Sequence, residues 1–368
     1  MTLLILTICI PDADGKDSLS YRKSAHRITA EIHPSYNIPT HHFYKGNNPS
    51  GKTIGPVTSY HLKYSFTLPG TYQGIGLSIN SFNDREIIGS PVVLYIFQGA
   101  RLIDFSRKWS FGYEWNLGIS YGWKQTDVIQ SKSNIYINVG LPFTWRPSQQ
   151  WEIHAGPEYT HFSNGDTMYP NGGANPVGLR FGATYIIGHD ESKSIGKELF
   201  SSEADLTGQR FNYDLFLYGA WRAARVMDGH TLHLLNRKFA LGGLSFNPLY
   251  RFNRHFLAGP SLDIQTDTST GLHYIGGDND NHSGLSSPGL WKQTSLGLSI
   301  RGELEMPLFS INLGIGYNVI RNVSDIKSFY STYSLKTFVG RKMFISIGYR
   351  LSAAQYTHNL MFGMGFRL

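Results

Sequence analysis

Apolar and polar positions alternate along most of this chain. Phe111, Tyr113, Trp115, Leu117, Ile119, Tyr121 and Trp123 fall on one face of a strand, and Gly112, Glu114, Asn116, Gly118, Ser120 and Lys124 fall on the other. This is a period of two, the signature of an extended chain with two unlike faces. Ile135, Ile137, Val139 and Leu141 repeat it, as do Phe309, Ile311, Leu313, Ile315, Tyr317 and Val319. The last strand sets Leu360, Phe362, Met364, Phe366 and Leu368 against Gly363, Gly365 and Arg367. The strands run to about ten residues, the length a tilted strand needs to cross a bilayer. Aromatic residues crowd the ends of the apolar faces, as interface girdles do. The pattern predicts an all-β, antiparallel transmembrane β-barrel of the outer-membrane type, with roughly 14–16 strands. One large barrel is the preferred architecture, with two eight-stranded barrels as the alternative.

Connections of unequal length separate the strands. Residues 146–150 form a tight turn, 164–174 a longer loop, and 266–289 a longer one still, rich in Gly, Asp, Asn and Ser. Short turns are expected at the periplasmic end and long loops outside. A polar, charged stretch at 189–209 divides the chain into a first half, 20–188, and a second half, 210–368. Ala155-Gly156-Pro157 has a faint echo in Ala258-Gly259-Pro260, read either as duplication or as two similar strand starts.

Composition agrees with strands rather than helices. Charged residues make up 16% of the 368, and the chain has 40 Gly, 22 Tyr and 22 Phe. No run of 18 apolar residues exists, which excludes helical spans. The net charge of +7 is scattered, with no dense basic run. That argues against a nucleic-acid partner and for an anionic lipid head group. The one cysteine, Cys9, lies in an apolar run over 3–10 that is followed by Pro11, Asp12 and Ala13. Residues 1–13 read as the remnant of a secretory signal peptide, or else as a buried first strand.

Candidate chemistry concentrates at the end of strand 151–163. Its odd positions are Trp151, Ile153, Ala155, Pro157 and Tyr159, and then His161 and Ser163. Glu152, His154 and Glu158 have lumen parity. In the following strand Val177, Leu179, Phe181, Ala183, Tyr185 and Ile187 form the lipid face, and the same parity extended backward reaches Asn175. His161, Ser163 and Asn175 are therefore expected to converge on the outer wall, at the level of the outer leaflet. Polar groups facing lipid are costly and point to function. A serine and a histidine two apart on one face can serve as nucleophile and base, with a third group orienting the imidazole. On the residues alone an interfacial polar cap is the plainer reading. His41-His42 and His189-Asp190-Glu191 read as solvated loop residues rather than metal ligands, because adjacent strand side chains point to opposite faces.

At these positions the chain resembles the lipid A 3-O-deacylase (PagL) family. The resemblance rests on His161-Phe162-Ser163-Asn164-Gly165, then Pro170-Asn171-Gly172-Gly173, Asn175 and a closing strand with Gly178-Leu179. It covers roughly residues 26–188. It implies an eight-stranded barrel of the bacterial outer membrane, a serine esterase that hydrolyses the ester-linked acyl chain at position 3 of lipid A. By that match Ser163 is the nucleophile and His161 the general base. Asn164, with backbone amides just after it such as that of Gly165, forms the oxyanion hole. No metal or other cofactor is implied, and the partners are lipopolysaccharide and membrane lipid. Where the family has an acid beside the histidine, this chain has Asn175, with Asp166 a possible substitute. Two other functions remain open: a pore or transport barrel with a vestigial site, and a phospholipase acting on glycerolipids.

Overall fold

The computed structural model describes residues 25–68, 71–188, 210–228, 231–275, 284–306, 309–339, 342–352 and 358–368. The expected signal remnant and the 189–209 stretch lie outside the described residues. The first ring runs β1 (His26–Asn37), β2 (Pro56–Leu68), β3 (Thr71–Ser81), β4 (Gly89–Asp104), β5 (Trp109–Trp123), β6 (Ser133–Gly140), β7 (Phe143–Trp145), β8 (Trp151–Ser163) and β9 (Pro176–Ile187). Antiparallel neighbours follow one another, and β6 and β7 share one place between β5 and β8. The ring closes where β1 pairs with β9, from His26 opposite Ile187 to Asn37 opposite Pro176.

The second ring is β10 (Phe211–Asp228), β11 (Thr231–Arg251), β12 (Phe256–Asp267), β15 (Thr294–Glu305), β16 (Phe309–Arg321), β17 (Phe329–Val339), β18 (Met343–Ser352) and β19 (His358–Arg367). A small hairpin of β13 (His273–Ile275) and β14 (Gly284–Ser286) sits in the loop after β12. The ring closes by β10 on β19, with Asp214 opposite Arg367. Sixteen strand positions are thus divided between two closed eight-stranded barrels. The single large barrel does not form, and the alternative does. Each half contains a strand that completes its own ladder, so neither is left with an open edge.

The faces follow the alternation. Leu62, Leu94, Ile119, Leu217, Ile300 and Ile315 point outward and exposed, as the hydrocarbon of a bilayer requires. Aromatic rings gather at the short-turn end of both barrels: Trp109 stacks on Trp145, Trp151 packs tilted against Tyr185, and Tyr250 meets Phe252 edge-on. Two tryptophans depart from the expected outer face. Trp123 turns inward because Gly122, at φ 104°, reverses the parity of the strand end. Trp115 keeps its parity but is covered edge-on by Phe309 of the second barrel, with ring centres 5.4 Å apart. Near it Ala100 and Met306 are buried together, so the two barrels pack wall to wall.

The tripeptide echo has a local explanation. Gly156 and Gly259 each lie against the backbone of the preceding strand, where a Cβ would sit 2.1 Å from the Leu141 carbonyl and 2.0 Å from the Pro248 carbonyl, respectively. Both mark a break in a ladder next to a proline, Pro142 or Pro248.

Charged side chains fill both lumens. In the first, Lys63 bridges Glu31 at 2.6 Å and Glu114 at 2.8 Å, and Arg180 reaches Glu114 at 2.8 Å and Glu158 at 3.5 Å. In the second, Lys336 and Arg367 both join Asp214 to Glu303. Arg301 pairs with Asp263 at 2.8 Å and Arg350 donates to Asn318 at 2.8 Å, rather than to a glutamate. An aromatic and aliphatic core that includes Tyr95, Tyr136, Phe82 and Phe162 closes the long-loop end of the first barrel. An eight-stranded ring is only wide enough to be filled by side chains, so the wide lumen on which the pore reading drew is not formed. Arg180→Leu is expected to destabilise the first barrel by about 3–5 kcal/mol, because it strands buried carboxylates. Heat- or urea-dependent migration of the folded protein in gels measures this, and an unchanged midpoint would contradict it.

Candidate active site on the first barrel

Strand parity brings β8 and β9 side chains to the outer wall, and the loop between them shapes the site. Gly165 and Asp166 both adopt left-handed backbone conformations, at φ 67° and 60°. Glycine takes this region freely and aspartate tolerates it. The double turn folds the chain back over the strand end, so that the Gly165 N–H donates to Ser163 Oγ at 3.1 Å. Gly173 is left-handed as well, and a Cβ there would meet the Phe162 carbonyl at 2.8 Å. Its own carbonyl accepts from the buried Tyr44 hydroxyl, whose pKa burial pushes up, so Tyr44 remains a donor. Two backbone bonds between Phe162 and Ala174, at 2.8 and 3.0 Å, close the base of the loop.

His161 and Asn175 meet as parity requires, with Nδ1 of the imidazole 2.7 Å from Oδ1 of the amide. That oxygen only accepts, and it also receives the Tyr159 hydroxyl at 2.9 Å. Nδ1 therefore carries the ring proton and Nε2 the lone pair, the tautomer a general base needs. Asn175 is itself pinned to the first strand's end: its N–H donates to Asn37 Oδ1 at 2.7 Å, and its carbonyl accepts from Ile38 N–H at 3.0 Å.

Ser163 stands two residues along on the same face. Asn171 Nδ2 donates to its Oγ at 3.0 Å, so two N–H donors converge on the hydroxyl. Asn164, expected among these donors, is engaged elsewhere. Its N–H donates to Asn171 Oδ1 at 3.1 Å and its side-chain amide to the Met168 carbonyl at 2.9 Å. Asn171 takes its place. It lies within the quoted motif, yet a single strand's parity says nothing of a loop side chain that folds back. Asp166 turns from the imidazole to accept from Asn171 at 2.9 Å, and Glu158 lies in the lumen beside His33.

Ser163 is only 6% exposed although it faces outward, because the second barrel covers it. The Tyr349 ring of β18 and the Leu360 side chain of β19 pack over Gly165, the residue whose N–H is bonded to Ser163. Asp166 accepts from the Ala223 N–H of β10 at 2.8 Å, and its carboxylate lies 3.9 Å from Arg222.

Of the discounted metal candidates, His41 caps the short helix His42–Lys45 by accepting from the Phe43 N–H at 3.2 Å, and 189–191 lies outside the described residues. Alternation does bring Glu31, His33 and His61 together in the lumen, with ligand atoms within 4.8 Å of one another. The Lys63 ammonium at 2.6 Å and His154 at 2.7 Å already engage Glu31, so the cluster belongs to the lumen ion-pair network.

Neisserial surface protein A is 10% identical, with a TM-score of 0.31, over 44% of this chain and 97% of that one. The Pseudomonas putida toluene transporter TodX is 9% identical, with a TM-score of 0.20, over 94% of this chain and 88% of that one. No curated protein matches the chain. Residues 211–368, the second barrel, match the family described as acyloxyacyl hydrolase, C-terminal domain (PagL_C). The chain is therefore a two-barrel β protein with apolar outer walls, whose second barrel is similar to the acyloxyacyl hydrolase C-terminal domain family.

Proposed function

We propose that the protein is a lipid A deacylase, a carboxylic-ester hydrolase that works by a serine–histidine mechanism on the outer wall of its first barrel. The observation that carries this reading is the polar constellation at the long-loop end of a lipid-facing surface. There the Ser163 hydroxyl receives two N–H donors and a neighbouring imidazole is held in the basic tautomer by Asn175. The family of the second barrel supports hydrolysis as the general class. The position in the wall supports a membrane lipid as the substrate, and the loop-side level supports one of the outer leaflet.

In this mechanism His161 Nε2 takes the Ser163 proton as Oγ attacks the acyl carbonyl. The oxyanion of the tetrahedral intermediate forms next to the Gly165 N–H and the Asn171 amide, which stabilise it. Collapse breaks the ester bond, and His161 returns the proton to the departing sugar hydroxyl. Water, deprotonated in turn by His161, then releases the fatty acid and restores the serine.

Mass spectrometry of lipid A from cells expressing the protein is expected to show loss of one hydroxyacyl chain, and Ser163→Ala to abolish that loss. Intact lipid A in both cases, with the barrels inserted in the outer membrane, would overturn the reading. Recovered free fatty acid from glycerolipid instead would assign a phospholipase. Asn171→Ala should lower kcat by about 10²–10³-fold, the usual weight of one oxyanion donor. Asn175→Asp adds a charge beside the developing imidazolium and should raise kcat, about tenfold for ~1.4 kcal/mol of added stabilisation. A fall in rate would show that the amide, not the missing charge, suits this site.

A further inference from the structure

The second barrel's first hairpin does not stop at its wall. β10 has 18 residues and β11 has 21, whereas the other strands of the ring have 10 to 13. β19 pairs with β10 only as far as Gly219, and β12 pairs with β11 only as far as Leu241. Beyond those points the two strands continue as a two-stranded ribbon outside the ring, roughly 30 Å long at the rise of an extended chain.

This ribbon is basic. Between 219 and 241 it contains Arg222, Arg225, Arg237 and Lys238 against one acid, Asp228. A bulge at Ala223/Ala224 places residues 236 and 237 outside the ladder, and Arg237 and Lys238 are exposed. Lys238 stands opposite Ala223, whose N–H is the one bonded to the Asp166 carbonyl.

The ribbon is joined to the loop that carries the candidate nucleophile. Arg222 lies between Asp267 at 3.0 Å and Asp166 at 3.9 Å and donates to the Tyr169 hydroxyl at 3.4 Å. The Arg225 guanidinium lies 4.4 Å above the Tyr169 ring. Arg222 is thus committed to holding the two barrels together, whereas Arg237 and Lys238 are exposed on the same ribbon, the Arg237 guanidinium 5.5 Å above the Phe239 ring. The ribbon is at the long-loop end of the barrel, where lipid head groups lie.

We propose that this ribbon is an anion-binding ledge, with Arg237 and Lys238 as its ligands, that holds the phosphorylated head group of the lipid whose acyl ester reaches Ser163. The inference rests on the deacylase reading for what it delivers, but it concerns binding alone. The physical reason is simple: a lipid ester in a wall has no orientation until its head group is fixed, and a phosphate monoester is the anion that a paired guanidinium and ammonium hold best. The second barrel then supplies recognition, and the first supplies the chemistry.

The test uses the full chain with Ser163→Ala, in detergent, so that binding is read without turnover. The ligands are bisphosphorylated lipid A, the same lipid after enzymatic removal of its phosphates, and inorganic phosphate. Adding Arg237→Gln with Lys238→Gln should weaken binding of the phosphorylated lipid tenfold or more, with the loss shrinking as salt is raised. Arg321→Gln, at the end of β16 on the far side of the ring, should leave binding unchanged. The dephosphorylated lipid should bind the parent and the double variant equally. Equal affinity of the parent and the double variant for the phosphorylated lipid would overturn the proposal. Inorganic phosphate bound as tightly as the lipid, and lost in the double variant, would assign the ledge to free phosphate and overturn the lipid reading. Lipid that binds the ledge but is never cleaved by the wild-type chain would sink the deacylase reading and leave the ledge standing.

Discussion

Backbone hydrogen bonding in lipid governs this molecule. Within hydrocarbon there is no water to satisfy an open strand edge, so every strand needs a partner on both sides. Each half of the chain meets that demand internally, β1 on β9 and β10 on β19. Once both rings are closed, the rest is constrained. Side chains alternate between lipid and lumen, charges can lie only inside, and the lumen of each ring is narrow enough that those charges must pair with one another. The Lys63–Glu31–Glu114–Arg180 cluster and the Asp214–Glu303–Lys336–Arg367 cluster are consequences of closure.

The same rule makes the candidate site conspicuous. A wall that is apolar for most of its height ends in His161, Ser163 and Asn175, and the loop above them is bent by two left-handed residues so that an amide lies on the serine. Asn175 is tied to the end of the first strand, so ring closure also fixes the imidazole. Positioning therefore comes from rigid elements, and the loop contributes only the donors.

Two barrels in one chain create something that neither has alone, a seam. At its turn end the seam is apolar, with Trp115 against Phe309; at its loop end it is polar, with Asp166 between Ala223 and Arg222. The candidate nucleophile lies at that polar end, next to Gly165, on which Tyr349 packs. The family match falls on the second barrel and the candidate serine–histidine site on the first.

Alternation along the chain by itself determined the all-β class, the strand faces, the turn and loop ends, and the meeting of His161 with Asn175, because each depends only on a period of two and on a short hairpin. It also placed Arg180, Arg301, Arg350 and Arg367 in the lumen. Tertiary structure alone decided how many rings the strands form, since alternation is the same whether β9 pairs with β1 or a strand beyond it. It decided which donors reach Ser163: Asn171 replaces Asn164 because an irregular loop has no period to read. It turned Trp123 inward through the backbone of Gly122. And it buried Ser163, beside a loop on which Tyr349, 186 positions along the chain from the serine, packs at Gly165, because only the packing of one barrel on the other brings these segments together.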